Sequence, residues 1–172
     1  MVKLSGTRQL TVWFSILGFL VSTPAEAQIL TSSQLPIVII DTDGSEIPDE
    51  PKIMAYMGVI DNGPGVLNNV DDAFNAYDGY IGIELRGSSS QMYPKKQYAV
   101  ETREADGSNL NVSLLGMPSE NDWILNGPFS DKSLIRNVLT YTLTRQMGWY
   151  ATRTRFCEVI INGDYRGLYV LM

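Results

Sequence analysis

Two apolar runs, Arg155 to Ile161 and Asp164 to Leu171, flank the dipeptide Asn162-Gly163. Asn-Gly accepts the positive φ angles of a two-residue type I′ turn, so this segment is expected to form a β-hairpin. The same rhythm runs through the chain upstream. Leu35 to Ile40 (LPIVII) is closed by Asp41-Thr42-Asp43-Gly44, and Lys52 to Ile60 (KIMAYMGVI) is stopped by Asp61-Asn62-Gly63-Pro64-Gly65. Between these runs, Pro48 and Pro51 exclude a helix interior, because each removes a backbone donor and restricts its predecessor. Tyr80 to Arg86 (YIGIELR) and Gln97 to Arg103 (QYAVETR) alternate with a period of two. In the latter, Tyr98, Val100 and Thr102 are expected on one face and Ala99, Glu101 and Arg103 on the other.

One stretch reads as a helix. Ser130 or Asp131 supplies a cap, Gly148 a stop, and Leu134, Ile135, Val138, Leu139, Tyr141 and Leu143 recur at helical spacing between them. Strands, one long helix and a closing hairpin together predict an α+β fold, with a mainly antiparallel sheet and the helix packed on it. Gly167 to Met172 is apolar to the last residue, and on that basis the domain is expected to continue beyond Met172.

Residues 1–27 are expected to be an address. Lys3 and Arg8 precede the 12-residue apolar run Leu10 to Val21, Thr23-Pro24 breaks it, and Ala25-Glu26-Ala27 has the A-x-A form of a signal peptidase site. The run is short of the roughly 20 residues that span a bilayer. Cleavage after Ala27 predicts a protein that is secreted or held at the cell envelope or surface, with no transmembrane segment remaining. Loss of Lys3, Arg8 and Glu26 would leave 11 basic and 18 acidic residues.

Composition narrows the chemistry. The chain has no histidine and one cysteine among 172 residues, with a net charge of -6. It therefore offers no Ser-His-Asp or Cys-His site, no imidazole-based zinc site and no internal disulfide. The acidic balance argues against nucleic acid as a partner. Carboxylates, Lys, Arg, hydroxyls and backbone amides remain, and a divalent metal would be a hard one. Cys157, between apolar neighbours in a predicted strand, reads as a buried small hydrophobe. Asp41-x-Asp43-Gly44 looks like the start of a calcium loop, but Pro48 and Pro51 interrupt it and the remaining ligand positions are wrong.

Three constellations could bind an anion. Arg86-Gly87-Ser88-Ser89-Ser90 follows a strand and offers N–H groups and hydroxyls, although a plain polar turn explains the same residues. It is neither a P-loop nor GxGxxG. Lys95 and Lys96 precede the next strand and can serve as phosphate ligands or as solvated charges that blunt a strand edge. Arg136 and Asn137 sit near the predicted helix start. A cation there opposes the helix dipole, which calls for a specific anionic partner for Arg136.

Taken together, LPIVIIDTDGSEIPD (35–49), YIGIELRGSSSQMYPKKQYAVET (80–102), NLNVSLLGMPSEND (109–122), WILNGPFSDKSLIRN (123–137) and RTRFCEVIINGDYRGLYVLM (153–172) resemble the CotH family, the spore coat protein H kinases. The resemblance implies a secreted atypical protein kinase that uses ATP with Mg or Mn to phosphorylate serine in exported proteins. It also implies a much-altered kinase amino-terminal lobe. In that frame Arg86, Gly87, Ser88, Ser89 and Ser90 take the place of the phosphate-covering loop. Lys95 or Lys96 is the phosphate lysine, with Glu101 or Glu158 as its partner, and the helix from Asp131 to Met147 is the regulatory helix. The chain departs from common kinases in lacking GxGxxG, VAIK, HRD and DFG. The resemblance puts the catalytic and metal-binding acids downstream of Met172, so no catalytic residue is assigned and the chain alone is expected to be inactive. Two other functions compete: a non-catalytic surface or spore-coat adhesion module, and a carbohydrate-binding module using Tyr56, Tyr77, Tyr80, Tyr93 and Trp123 as a stacking platform.

Overall fold

The computed structural model describes residues 29–172; the predicted signal segment and its cleavage site lie outside the described residues. Nine strands and one α-helix follow in chain order. They are β1 (Ser32–Ser33), β2 (Ile37–Asp41), β3 (Ile53–Ile60), β4 (Asn68–Asn69), β5 (Tyr77–Arg86), β6 (Gln97–Arg103), β7 (Asp122–Asn126), α1 (Arg136–Gln146), β8 (Arg155–Ile161) and β9 (Asp164–Leu171). β1 and β4 form a separate two-stranded pair, and the other seven strands close into a barrel in the order β2-β3-β5-β6-β7-β9-β8. Neighbours pair antiparallel except β2 and β8, which run parallel and close the ring through Ile37–Ile40 opposite Glu158–Ile161.

The period-two pattern explains why one face of every barrel strand is apolar. Val38 and Ile40, Ala55, Met57 and Val59, Ile81 and Ile83, Tyr98 and Val100, Trp123 and Leu125, Cys157, Val159 and Ile161, and Tyr169 and Leu171 all turn into one core. Leu114, Leu115 and Met117, from the loop between β6 and β7, enter the same core. A smaller apolar cluster of Ile37, Ile60 and Ile160 lies on the other face of β2, β3 and β8.

This architecture overturns the expected α+β fold with a long helix packed on a sheet like a kinase amino-terminal lobe. The chain is mostly β, the sheet is closed, and α1 is only 11 residues long with none of them buried. Leu134 takes φ +60°, which is incompatible with a helical path, so the helix starts at Arg136 and not at Asp131. Ile135, Leu139 and Leu143, the residues expected to pack on the sheet, are each about half exposed. Closure supplies the reason: the apolar strand faces are satisfied inside the barrel, which leaves no bare apolar sheet face for a helix to cover. No helix among the described residues is long and apolar enough to cross a membrane.

Individual strand expectations fared better than the assembly. β6 runs from Gln97 to Arg103 with Tyr98, Val100 and Thr102 buried, as the alternation requires. The terminal hairpin has the predicted limits, and Asn162 (φ +52°) and Gly163 (φ +80°) both lie in the left-handed region that a type I′ turn demands. β7 (DWILN) was not anticipated as a strand from its own residues, since it is short and carries two polar ends.

Two predictions follow from this fold. A Cβ at Gly163 meets no neighbour within 4 Å, so the cost of Gly163→Val is chiefly conformational. About 1–3 kcal/mol of lost stability is expected for a β-branched residue at positive φ, read as a lower urea midpoint. Cys157 is fully buried, and desolvation pushes its thiol up to about 12. Its folded-state pKa therefore lies above the unfolded value. The stability contributed by a neutral thiol is fully present below about 9 and is lost as pH rises towards 12. Iodoacetamide at pH 8 should leave the native thiol unmodified and label it only after denaturation; rapid labelling of the native chain would contradict this burial.

Candidate functional site

The turn after β5 is built around glutamine, not serine. Gly87 takes φ +98°, and a Cβ there would fall 2.0 Å from Ser90 Oγ, so the tight approach requires glycine. A short 3-10 helix, Ser89–Met92, follows. Gln91 donates from its side-chain amide to the Gly87 carbonyl at 2.6 Å and to the Asp49 carboxylate. Its own carbonyl accepts from Lys96 Nζ at 2.5 Å. Among the described residues, the backbone N–H groups of Ser88, Ser89 and Ser90 find no acceptor within this braced turn. Arg86 is exposed beside them.

The two lysines have different jobs. Lys96 spends its ammonium on the Gln91 carbonyl and so ties β6 to the serine turn. Lys95 lies with Nζ 4.3 Å from the centre of the Tyr169 ring and donates to the Arg166 carbonyl at 3.2 Å. Partial burial holds its ammonium below the usual lysine range, while the nearby Glu158 and Cys157 work in the opposite direction. Neither expected carboxylate forms an ion pair with it. Glu101 is paired with Arg103 at 2.5 Å, and Glu158 accepts from the Tyr165 hydroxyl at 2.7 Å.

Beside this segment lies a cleft of about 290 Å³ between the end of β7 and the start of α1. Tyr93 and Phe129 form one wall, with ring centres 5.2 Å apart. Gln97, Asn126, Ser130, Arg136 and Asn137 supply polar groups, and the Asp131 carboxylate shares the lining with them. Gly127 also lines the cleft and fixes its distance from the lysines. A Cβ on Gly127 would sit 2.9 Å from the Lys96 carbonyl, 3.0 Å from the Tyr169 ring and 3.1 Å from Lys95 Cγ. The lysine backbone thus packs directly behind the cleft wall, but the lysine ammonium groups do not line it.

Asn126 is the residue that sequence reasoning missed. It is 8% exposed at the last position of β7, and its Nδ2 has no hydrogen-bond partner. A buried donor left unpaired costs free energy, on the order of 1–3 kcal/mol, and calls for an explanation. Asn126 lines the cleft while its Nδ2 is shielded, so a ligand acceptor would meet the amide once the side chain turns towards the cleft. No local pattern announces this, because an asparagine at a strand end usually signals a turn.

Arg136 has the anionic partner that its position called for. Its Nε lies 3.4 Å from Asp131 Oδ1, and its backbone N–H donates to Asp131 Oδ2 at 3.0 Å. Hydrogen bonds from Ser133, chiefly its side chain, hold the Asp131 carboxyl below the usual carboxylate range. Arg136 remains 79% exposed at the cleft rim, with most of its donors free for a second anion. Of the predicted site residues, the structure thus brings Arg136 to this cleft. It leaves Arg86 to Ser90 on the adjoining turn, with Lys96 tied to that turn and Lys95 laid against β9 behind the cleft wall.

The five aromatic residues of the expected carbohydrate platform are divided. Trp123 is buried in the barrel core and Tyr93 belongs to the cleft wall, whereas Tyr56 and Tyr80 meet edge to face at 5.4 Å on another surface, where the Tyr77 hydroxyl donates to the Tyr80 carbonyl at 2.7 Å.

Compared with known proteins, the chain matches the family model described as CotH kinase protein over residues 83–172, which is more than half its length. No curated protein matches it. The serine turn, the lysine pair, Asn126 and Arg136 all lie within the matched stretch, and the chain belongs to the CotH kinase protein family.

Proposed function

We propose that the chain is the nucleotide-binding part of an exported atypical protein kinase that transfers phosphate from ATP to serine in secreted or surface proteins. The observation that carries the reading is the unpaired, buried Asn126 amide in a cleft rimmed by the exposed guanidinium of Arg136. An amide and a guanidinium on the lining of one small polar space suit a phosphate oxygen, with Asp131 already taking one side of Arg136. Tyr93 and Phe129 offer the apolar wall that a base or sugar needs. The volume of about 290 Å³ lies at the lower end for small-molecule sites, enough for the phosphate-bearing part of a nucleotide.

ATP would supply the transferable phosphoryl group. Asn126 and Arg136 would hold and orient its phosphates, with the free N–H groups of Ser88 to Ser90 available on the adjoining turn. The described residues contain no cluster of three metal-ligating side chains, so they do not fit a Mg or Mn site and no step is assigned through the metal. Phosphoryl transfer depends on positioning and charge stabilisation, which is consistent with a chain that lacks histidine.

Calorimetric titration with ATP and Mg or Mn tests this reading. Asn126→Leu should lower affinity roughly 10-fold or more, the loss expected for one charge-assisted hydrogen bond, while leaving the melting temperature unchanged or raised because the unpaired donor is gone. Unaltered affinity would remove this cleft from nucleotide binding. The chain by itself is expected to bind ATP without transferring phosphate, and measurable transfer to a serine peptide would overturn that expectation. Lys95→Ala combined with Lys96→Ala is expected to lower both ATP affinity and the melting temperature, since both lysines also brace the fold. Gly127→Ala should destabilise by about 1–3 kcal/mol through overpacking against the Lys96 carbonyl and the Tyr169 ring.

A further inference from the structure

At the other end of α1 the chain gathers positive charge that nothing in the fold neutralises. Arg145, Arg153 and Arg155 line a cleft of about 470 Å³. It shares Pro118, Arg145 and Arg153 with a neighbouring hollow of about 440 Å³ that also includes Trp149 and Tyr150. No carboxylate lines either space, and none of the three arginines forms an ion pair among the described residues. Their orientation comes from neutral acceptors. Arg145 donates to the Thr152 carbonyl and to Thr142 Oγ1, and Arg155 Nε donates to the Leu115 carbonyl at 3.0 Å. That carbonyl belongs to a residue at φ +50°, so Arg155 is held against a left-handed turn of the β6–β7 loop.

The arrangement is unusual for a chain of net charge -6. Three like charges around one space repel one another, and an anion placed there removes that repulsion. Beside them, Trp149 is 70% exposed and Tyr150 is 99% exposed. Arginine next to exposed Trp and Tyr is the composition of a protein-binding hot spot.

We propose that this double cleft binds an acidic peptide segment of a partner protein. Two features favour a peptide over a single small anion. The two hollows together are far larger than one phosphate group needs, and they run from the guanidinium groups to the aromatic pair. Arg153 and Arg155 are also two residues apart and, with Thr154 between them, line the cleft. On extended backbone that spacing is about 6.6 Å, the same interval at which alternate side chains recur along an extended peptide. Carboxylates at alternate positions of such a peptide would meet alternate arginines, and an apolar residue beyond them would rest on Trp149 and Tyr150. The site is separate from the cleft at Arg136. Arg136 and Arg145 lie nine residues apart on α1, about 14 Å along its axis, and binding here does not require nucleotide there.

The test uses a fluorescein-labelled peptide with aspartate at alternate positions and a terminal leucine, followed by fluorescence anisotropy against the whole chain. The aspartate peptide should bind at least 10-fold more tightly than the same peptide carrying lysine in place of aspartate, and its affinity should fall as salt rises. Arg153 makes no hydrogen bond within the described residues, so Arg153→Ser should keep the melting temperature while weakening binding several-fold. Trp149→Ala provides a second, independent variant and should weaken binding without altering the salt dependence. Equal binding of the lysine peptide, or unchanged affinity in both variants, would overturn the proposal. Full displacement of the peptide by low-millimolar inorganic phosphate would also overturn it, by identifying a simple anion site.

Discussion

The parallel pairing of β2 with β8 is the contact on which the rest of the molecule depends. It joins Ile37–Ile40 to Glu158–Ile161, segments about 120 residues apart, and converts a curled sheet into a barrel without a free edge at that seam. The terminal hairpin locks the seam with the side chain that makes its turn. Asn162 accepts from the Thr42 N–H at 2.9 Å, donates its own backbone N–H to the Ile40 carbonyl at 2.9 Å, and donates its amide to Thr42 Oγ1 at 2.8 Å. One residue therefore serves both the local turn and the most distant pairing in the fold. Contacts of such separation carry a large loop-closure cost, repaid only when the apolar interior forms around them.

Closure has a direct consequence for function. Once the apolar strand faces meet inside the barrel, α1 has no sheet to cover and stays on the outside with its apolar residues half exposed. Its two ends then contribute to separate polar clefts. The amino-terminal end brings Arg136 to Asn126, and the carboxyl-terminal end brings Arg145 to Arg153 and Arg155. Net charge hides this division. The molecule is acidic as a whole, yet Arg136, Arg145, Arg153 and Arg155 line the two clefts.

The lysines illustrate how a binding signal and a structural role overlap. In the sequence, two adjacent lysines beside a serine turn suggest phosphate ligands. In the fold, Lys96 ties down the turn through Gln91, and Lys95 is spread over Tyr169 behind the cleft wall. Gly127 presses against both, so the turn, the lysine pair and the cleft form one braced unit. Gln91 and Asn126 do the connecting, and neither belongs to a pattern that spacing alone reveals.

Whatever depended on near neighbours was legible in the sequence. Alternation in QYAVETR set which side chains of β6 face inward, Asn162-Gly163 set the hairpin turn, although a bulge between Val159 and Ile160 shifts the register beyond it, and the apolar company of Cys157 set its burial. A side-chain period of two follows from the backbone itself, so no partner is needed to read it. The tertiary structure alone decided that the sheet closes, that Leu134 breaks the expected helix, that the helix stays unpacked, and that the Asn126 amide is left unpaired. The Leu134 break belongs to the local turn around Asp131, whereas closure, the unpacked helix and the unpaired amide rest on which strands become neighbours. That choice is made by burying the whole apolar interior at once, through pairings more than a hundred residues apart that no local pattern encodes.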